Sequence, residues 1–561
     1  MTPTQTSSHA PSTTGVTIFI CIAIIAIRLV TLPFPDLIDS TEGRYAAAAV
    51  TMIEKGDFLT PYIDMGKGSE PYLGKPPMHF WLTVGCFKLF GVSEMSARLP
   101  SFLATLLSAV MLFLFTAKIW GRSAGSVAIL AYLSSGLTFF LAGAALLDTT
   151  LMLFTTAAIL LFGGYYLCDF NKRPKLTSFL VGAALSGAFL TKGPVSIAIF
   201  LAAVIPWALI HREAVLKKRF PLLVCIASFI VFTAPWYLAC EYYHPGFLYY
   251  FIVKENLLRI VSDNYGDRYG SGHPQIFGTS ILFLLCCLMP WTIVCSKAIA
   301  ASVRRTELKN CWSLTYLRSI ESPLLFATTW TLSMPAFLLL TSQYTANYLS
   351  PIMPGGALLL SGLLVRASSS SALCLPDWMM KALKGIIAIA MVVLPIVGFS
   401  LGAPWWIVIP CTLAAILVIT LLYTSLRTGN FEWQVGRISL ITVALYSSVI
   451  FSLFSYISSR RSTAEVITLI RRDVVQGGDS TTKVGFKGVP PFSSVVYGGA
   501  SAPRIILEGV SVIGEDNKKF AYYITAVKKP DPPPASILEL GRTRRWIVYK
   551  TKEGAQPPSE E

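Results

Sequence analysis

Long apolar segments recur along most of this chain, and they constrain its fold more than any other feature. Many of them reach about 18 residues, the length that a helix needs to cross the hydrocarbon core of a bilayer. Of the 561 residues, 54% are hydrophobic and only 14% are charged, whereas a soluble protein needs more charge to cover its surface. The sequence therefore predicts a polytopic α-helical membrane protein.

Hydropathy predicts about thirteen transmembrane helices before residue 457. They are placed at residues 16–33, 97–117, 123–141, 150–168, 176–191, 194–210, 220–239, 276–295, 322–341, 348–365, 383–401, 404–424 and 438–457. The first is predicted to be a retained anchor, because the residues before it lack the basic region and cleavage site of a secretory signal.

Basic residues are distributed unevenly between the loops that join these segments. The loops after the even-numbered segments hold nineteen Lys and Arg residues, whereas the short loops of the other set hold one, Lys192. Since cytoplasmic loops carry the excess of basic residues, the first set is predicted to be cytoplasmic and the N-terminus to lie inside. The net charge of +16 has its cause in this topology, so we expect no nucleic-acid partner.

Charged and aromatic side chains collect on the predicted external face. The stretch that opens with Asp39 and Glu42 and continues to Lys75 lies where the bilayer gives way to water, and such a cluster favours a function. Within this first external loop we predict a helix at Arg44–Glu54 and an interfacial helix at Pro77–Phe90. The alternative for the two acids is structural, because carboxylates at a helix N-terminus are stabilised by its dipole.

Two further charges stand alone at external turns. Asp148 is the only charged residue between positions 125 and 166, and Lys192 is the only cation at its turn. A charge isolated between apolar segments is costly unless it binds something or turns a tight corner. One hypothesis for Lys192 is that it binds a phosphate. The alternative is that its side chain only extends to the membrane–water interface.

Tyrosines accompany the charges of the second large external loop, residues 240–275. Glu255 and Arg259 lie in this loop, and Tyr344 and Tyr348 lie in a later polar turn. Tyrosine and tryptophan beside acids make a platform for a sugar ring, although aromatic belts at the membrane interface explain tyrosines equally well.

The chain changes character after residue 457. A capping box at Ser462–Glu465 predicts a helix at Ala464–Asp473. Strands are predicted at Ser494–Tyr497, Arg504–Leu507, Ala521–Val527 and Trp546–Tyr549. Residues 458–561 are therefore predicted to form a compact α/β domain on the external side, following a transmembrane domain of residues 1–457.

Metal and nucleotide motifs are scarce. The eleven cysteines include no CxxC pair, the five histidines include no HxxxH pair, and neither a P-loop nor a GxGxxG motif occurs. The sequence therefore predicts neither a disulfide framework nor a zinc ribbon.

Several motifs occur together in a distinctive order. They are Asp39-Ser-Thr-Glu42-Gly-Arg44-Tyr45-Ala, Gly56-Asp57-Phe58, Lys75-Pro-Pro, Gly91-Val-Ser-Glu94-Met-Ser-Ala-Arg98-Leu-Pro, Leu147-Asp148-Thr, Leu190-Thr-Lys192-Gly-Pro194, Pro245-Gly-Phe, Glu255-Asn-Leu-Leu-Arg259 and Tyr348-Leu-Ser-Pro-Ile-Met-Pro354. The ordered set resembles the glycosyltransferase C superfamily, and within it the bacterial aminoarabinose (lipid A) transferases and the protein O-mannosyltransferases.

The resemblance implies an inverting glycosyltransferase of the bacterial inner membrane, with a transmembrane catalytic domain and its active site on the periplasmic face. It would move a sugar from a polyprenyl-phosphate donor to a lipid A-like acceptor among the membrane lipids, or alternatively to a protein. The expected site comprises catalytic acids (Asp39, Glu42 and Asp148), donor-phosphate ligands (Lys75, Lys192 and Arg259) and a substrate pocket (Arg44, Tyr45, Glu255, Tyr344 and Tyr348).

The chain departs from the family pattern in two places. Gly74 stands where the family usually has Glu before Lys-Pro-Pro. Aminoarabinose transferases often have a Glu-His pair where this chain has Glu255-Asn256. The resemblance implies that the histidine of that pair is a ligand of a divalent metal, and this chain has Asn256 in its place. His273 is the candidate substitute.

A non-catalytic lipid or sugar transporter is the competing hypothesis. It predicts charges at mid-membrane and two repeated halves, whereas the charges of this sequence collect on one predicted face.

Overall fold

The computed structural model describes most of the chain. The described residues are 13–39, 41–64, 69–258, 274–294, 313–341, 343–368, 431–454, 457, 462–477, 481–487, 490–499, 504–510, 520–526, 537–543 and 545–551, with isolated positions between 385 and 420.

The first part of the chain is a helical bundle with one small hairpin. Its helices are α1 (Thr13–Val30), α2 (Glu42–Lys55), α3 (Met78–Phe90), α4 (Glu94–Trp120), α5 (Arg122–Leu133), α6 (Gly136–Leu141), α7 (Leu147–Leu167), α8 (Pro174–Lys192), α9 (Val195–Ile210), α10 (Arg212–Lys217) and α11 (Leu222–Tyr243). Strands β1 (Tyr62–Asp64) and β2 (Ser69–Pro71) pair antiparallel between α2 and α3. A 3₁₀ turn at Asp169–Lys172 separates α7 from α8. After α11 come an α-helical turn at Phe247–Tyr249 and a π-helix at Tyr250–Leu258. The two helices predicted in the first external loop are confirmed as α2 and α3.

The second part continues the bundle. It contains α12 (Thr279–Cys287), α13 (Ser322–Leu338), α14 (Met353–Ser368) and α15 (Phe431–Val449), with shorter turns at Trp291–Val294, Leu314–Ser319, Ala346–Ile352 and Ile450–Phe454. Most positions of the predicted segments 383–401 and 404–424 lie outside the described residues.

Three helices within the described residues, α4, α7 and α11, are long and apolar enough to cross a membrane, and two shorter apolar helices accompany them at Gly15–Val30 and Val195–Ile210. The count of thirteen crossings stays a prediction. The segment predicted at 123–141 divides into α5 and α6 at Ser134 and Ser135, whose hydroxyls donate to the carbonyls of Leu130 and Ala131.

The predicted sorting of the loops agrees with the bundle. Asp148 lies at the start of α7 and Lys192 at the end of the antiparallel helix α8, so both occupy one end. At the other end of α7, the Tyr165 hydroxyl donates to the Arg219 carbonyl at 2.8 Å. The basic loops that follow α7 and precede α11 therefore gather opposite the candidate site residues.

The C-terminal region is an α/β domain, as predicted. Helices α16 (Ala464–Gly477) and α17 (Ser493–Gly499) accompany strands β3 (Thr481–Lys487), β4 (Arg504–Val510), β5 (Tyr522–Ala526), β6 (Ile537–Arg542) and β7 (Trp546–Thr551). The sheet order is β4-β3-β5-β7-β6, with β3 parallel to β4 and β5, and β7 antiparallel to β5 and β6. Its core packs Val466 and Ile470 of α16 against the sheet.

One predicted strand is wrong. Residues 494–497 belong to helix α17, although their Val-Val-Tyr sequence is typical of strands. The first N–H of this helix is bound by the Asp39 carboxylate at 2.9 Å, so a contact with a distant part of the chain overrides the local preference. The other three strands and the helix at 464–473 are confirmed, while β3 and β6 are elements that the sequence did not predict.

Candidate active site

A cavity of ≈ 780 Å³, counting its open mouth, lies at the end of the bundle that holds Asp148 and Lys192. Its lining combines charged and amide side chains with an apolar wall. The lining residues are Gly74, Lys75, Leu151, Lys192, Val195, Ile199, Phe251, Glu255, Asn256, Met334, Phe337, Leu338, Thr341, Gln343 and Tyr348. A cavity with few polar groups converging above an apolar wall is typical of a ligand site.

The first ion pair in this cavity joins the two large loops that are predicted to be external. The Lys75 Nζ lies 2.6 Å from the Glu255 Oε1, and it also donates to the Gly74 carbonyl at 2.9 Å. The Glu255 side chain is only 3% exposed, and the Tyr250 hydroxyl lies 3.5 Å from its second oxygen. The lysine is therefore held at the cavity by a buried carboxylate that lies far away in the sequence.

The second ion pair joins α7 to α8. The Lys192 Nζ donates to the Asp148 Oδ1 at 2.7 Å and lies 4.2 Å from the centroid of the Tyr348 ring. Both side chains are mostly buried, at 15% and 10% exposure. A cation at the last turn of a helix is also favoured by the helix dipole. The two charges that stood alone in the sequence are therefore partners of each other.

The turn after Lys192 requires a glycine, which is Gly193. Its φ is +73°, a left-handed conformation that side chains rarely adopt, and a Cβ there would lie 2.6 Å from the Phe251 ring. The glycine lets α8 end directly after Lys192 and brings the second external loop against the cavity.

Tyr45 on α2 lies near the two ion pairs, and Arg44 lies against its ring. The Arg44 guanidinium lies 5.6 Å from the Tyr45 ring centroid and 5.7 Å from that of Tyr72. Burial raises the pKa of the Tyr45 phenol, Tyr72 and Asp148 raise it further, and Arg44 and Lys75 lower it. The hydroxyl of Tyr45 is thus within electrostatic reach of both ion pairs.

The Glu42 carboxylate is fully engaged by the protein. Its Oε1 accepts from the Arg98 Nε at 3.1 Å and from the Ala145 N–H at 2.8 Å, and its Oε2 accepts from the Arg98 Nη2 at 3.1 Å and from the Ile38 N–H at 3.3 Å. Burial raises the pKa of Glu42, but the charge and hydrogen bonds of Arg98 and the two N–H groups outweigh it, so the pKa lies below its ordinary value. Glu42 thereby ties α2 to α4 and to the turn before Asp148.

Arg98 lies in one of the motifs that carry the family resemblance, but the sequence predicted no role for it. It is 1% exposed and donates to the carbonyls of Leu32 and Pro35 at 2.9 and 2.6 Å in addition to Glu42. An arginine near the start of an apolar helix was the available signal, because a buried charge is costly unless it is paired.

Asp39 faces the C-terminal domain. Its carboxylate accepts the N–H and the hydroxyl of Ser493 at 2.9 and 2.5 Å. Burial raises the pKa of Asp39 to about 6, although the Ser493 hydrogen bonds and Arg545 act in the opposite direction.

The remaining predicted residues divide between the cavity, the core and the undescribed part of the chain. Tyr348 lines the cavity, whereas Tyr344 is buried against the Phe283 ring. Arg259 and His273 lie outside the described residues. Two amide side chains for which the sequence predicted no contact with a substrate, Asn256 and Gln343, line the cavity, and each is adjacent to a residue that was predicted to lie in the substrate pocket.

The divalent metal finds no ready site in the part of the chain that the structure describes. No three His, Cys, Asp or Glu side chains come together there as a metal site requires. In the cavity, Glu255 is paired with Lys75 and Asn256 replaces the family's histidine. The described residues therefore do not fit the metal, and it stays a prediction.

Comparisons with known proteins give a consistent result. A family model described as dolichyl-phosphate-mannose-protein mannosyltransferase matches residues 14–251. The undecaprenyl phosphate-alpha-4-amino-4-deoxy-L-arabinose arabinosyl transferase of Shewanella sediminis is 27% identical over 433 residues, which cover 75% of this chain and 74% of that protein. Transferases of the same name from Edwardsiella ictaluri and Pseudomonas savastanoi pv. phaseolicola are 29% and 31% identical, over 48% and 43% of this chain and 48% and 44% of their own lengths.

The fold is similar to a solved structure along almost its whole length. The crystal structure of ArnT from Cupriavidus metallidurans bound to undecaprenyl phosphate superposes with a TM-score of 0.75, covering 97% of this chain and 99% of that one at 19% identity. The predicted combination of a helical membrane domain and a C-terminal sheet is thereby confirmed. The sequence-based resemblance is confirmed by the family model and the arabinosyl transferase relatives.

Proposed function

We propose that this chain, an aminoarabinose-transferase-like glycosyltransferase of the glycosyltransferase C superfamily, transfers a sugar from a polyprenyl-phosphate carrier to a lipid A-like acceptor at the periplasmic face of the bacterial inner membrane. The observation that carries the proposal is the convergence of Lys75 and Lys192 on one cavity, each held by a buried carboxylate. The excess of basic residues in the opposite loops supports the periplasmic orientation.

The two lysines are the proposed ligands of the donor phosphate, together with Arg259. Polyprenyl phosphate is the leaving group of the reaction, so cations beside it stabilise the negative charge that develops as the bond to the sugar breaks. Glu255 and Asp148 hold these ammonium groups at the cavity through ion pairs of 2.6 and 2.7 Å. The apolar wall, which includes Ile199 and Phe337, suits the adjoining isoprenoid.

The reaction is a displacement at the anomeric carbon. An acceptor oxygen forms a bond to this carbon while the bond to the phosphate oxygen breaks, and the electron pair leaves with polyprenyl phosphate. Attack from the side opposite the phosphate inverts the anomeric centre. A carboxylate takes the proton of an acceptor hydroxyl, or orients an acceptor that is itself a phosphate.

Asp148 is the acid that we favour for this step. Of the three candidates, Glu42 has all its acceptor positions filled by Arg98 and backbone N–H groups, and Asp39 binds Ser493 of the C-terminal domain. Asp148 adjoins the cavity through Lys192. A donor phosphate that drew Lys192 toward itself would free this carboxylate for the acceptor. Arg44, Tyr45 and Tyr348 are proposed to contact the sugar.

A protein acceptor is the second candidate. The family model that matches residues 14–251 is described as a protein mannosyltransferase, and this favours a hydroxyl of a protein side chain. The aminoarabinosyl transferases align over a longer part of the chain, and this favours the lipid. Mass spectrometry of lipid A and of envelope glycoproteins from a strain that lacks the protein distinguishes the two by the sugar mass that is lost.

The direct test uses the purified full-length protein in lipid nanodiscs, a radiolabelled polyprenyl-phosphate sugar and both acceptor classes. Asp148→Asn keeps the size of the side chain but removes the charge, and we expect transfer to fall at least a hundredfold. Asp169→Asn is the matched control, because Asp169 is an exposed acid that contacts Lys118 at the other end of the bundle. Unchanged transfer by the Asp148 variant would remove this residue from the mechanism.

A further inference from the structure

We propose that the C-terminal domain is a working part of the transfer site, and that Ser493 is the positioning residue through which it holds the first external loop in place. The inference rests on the proposed function, because it concerns the geometry of the same cavity. It assigns a purpose to a domain that the chemistry described above leaves unused.

Ser493 binds Asp39 with two donors. Its backbone N–H donates to the Asp39 Oδ1 at 2.9 Å, and its hydroxyl donates to the Oδ2 at 2.5 Å. Both oxygens of one carboxylate are thus held by one residue, which is the first of helix α17 and is fully buried. Hydrogen bonds to a charged acceptor are stronger than those between neutral groups.

The same hydroxyl also connects to the start of α16. The Ser493 Oγ accepts the Thr463 N–H at 3.2 Å and lies 3.0 Å from the Thr463 Oγ1. We name Asp39, Ser493 and Thr463 the serine joint. It connects the loop after the first transmembrane segment to the first turns of two helices of the C-terminal domain.

A second contact lies one helical turn further along α17. The hydroxyl of Tyr497 accepts the Leu37 N–H at 2.8 Å. Residues four apart lie on the same face of a helix, so Ser493 and Tyr497 bind the loop before α2 at two points. Two contacts fix the direction of the loop, which a single contact does not.

The loop that contains Leu37 and Asp39 leads directly into α2. Gly43 donates its N–H to the Ile38 carbonyl at 3.2 Å, and a Cβ at Gly43 would overlap the Asp39 carboxylate and lie 3.2 Å from the Ser493 nitrogen. The backbone of α2 therefore approaches α17 too closely to admit a side chain. Arg44 and Tyr45 follow immediately, and Tyr45 lies within electrostatic reach of both ion pairs of the cavity.

This chain of contacts predicts how the joint influences transfer. A displacement of α2 by about 1 Å would change the alignment of the reacting groups, and a misplacement of this size can cost about a hundredfold in rate. The donor phosphate is bound mainly by Lys75 and Lys192, which lie outside the joint. Loss of the joint should therefore lower kcat and leave the KM for the donor within about twofold.

The test compares two adjacent serines of α17 in the full-length protein. Ser493→Ala removes the hydroxyl of the joint, whereas Ser494→Ala removes a buried hydroxyl that bonds only to the Pro491 carbonyl in the same segment. We expect kcat to fall roughly ten- to hundredfold in the first variant and to stay within about twofold in the second. Ser493→Thr keeps a hydroxyl and should restore part of the rate.

A double-mutant cycle separates a joint from two independent effects. Residues that act through one contact are non-additive, so Ser493→Ala combined with Asp39→Ala should be no slower than Asp39→Ala alone. Additive losses would overturn the proposal, as would equal rates for the Ser493 and Ser494 variants.

Amide hydrogen exchange keeps the proposal testable if the wild-type protein transfers none of the sugars offered, a result that would count against the proposed function alone. We expect faster exchange in residues 37–46 of Ser493→Ala and unchanged exchange in Ser494→Ala, with unchanged exchange across α7 and α8 as the check on global folding. Unaltered exchange in residues 37–46 would refute the joint.

Discussion

Replacing Arg98 by methionine should destabilise the protein strongly, and by an amount that depends on pH. The change keeps the length and the apolar part of the side chain but removes the guanidinium. That group is 1% exposed and makes two hydrogen bonds to Glu42. The variant leaves a buried carboxylate whose remaining donors are the N–H groups of Ala145 and Ile38.

The magnitude follows from these contacts. Breaking a buried ion pair by removing one partner costs about 3–5 kcal/mol. The carbonyls of Leu32 and Pro35, which Arg98 also binds, add about 1 kcal/mol each if no water replaces the lost donor. We expect the free energy of unfolding at neutral pH to fall by roughly 5–7 kcal/mol.

The sign of the pH dependence is set by Glu42. In the wild type its pKa lies below the ordinary 4.5, so its contribution to stability is present above that pH and is lost as the pH falls through the folded-state pKa. In the Arg98 variant, burial raises the folded-state pKa of Glu42 with less opposition. Folding is then penalised at pH values above the ordinary pKa, because the carboxyl group is ionised in the unfolded chain but resists ionisation when it is buried. The stability difference between the two proteins should therefore shrink as the pH falls from 7 to 5.

Thermal unfolding of both proteins in the same detergent, followed by tryptophan fluorescence at a series of pH values, measures this difference. Arg122→Met is the control, because Arg122 is an exposed arginine at the start of α5. Equal unfolding temperatures for the two arginine variants would refute the reasoning. A stability difference that does not change with pH would show that the Glu42 charge is not its cause.

Three further predictions concern the cavity. Lys75→Met should raise the KM for the polyprenyl-phosphate donor at least tenfold with a smaller change in kcat, as measured by steady-state transfer, because a charge-assisted contact with the phosphate is lost. Gly193→Ala should lower the unfolding temperature, since a Cβ would lie 2.6 Å from the Phe251 ring at a φ of +73°; an unchanged temperature would mean that the turn relaxes freely. A cysteine placed at position 75 should react with a membrane-impermeant maleimide added to intact spheroplasts, whereas one at position 218 should react only after lysis, and the reverse pattern would overturn the orientation.

Some features of the site could be predicted because their signals are local. Asp148 and Lys192 stand out as charges in apolar surroundings, and their cost in a membrane marks them without any knowledge of the fold. Their pairing at 2.7 Å was not predicted, although each had been assigned to an external turn. The reason is that the antiparallel packing of α7 and α8, rather than the sequence spacing, brings the two turns together.

Other features of the site depend on contacts that no local pattern records. Lys75 meets Glu255 across 180 positions, and Asp39 meets Ser493 across 454. The sequence suggested a catalytic acid at Asp39, whereas the structure places both of its oxygens on the C-terminal domain. A carboxylate beside a membrane is a signal for function, but its partner decides which function.

The sequence by itself determined the class of this protein: a helical membrane domain, a C-terminal α/β region and the residues that resemble a glycosyltransferase. These properties follow from hydropathy and charge, which act on each segment wherever the rest of the chain lies. Tertiary structure alone decided which charges became partners, and it turned residues 494–497 into a helix by placing Asp39 at its first turn. Strand preference amounts to about 1 kcal/mol, so one buried contact from a distant loop is enough to reverse it.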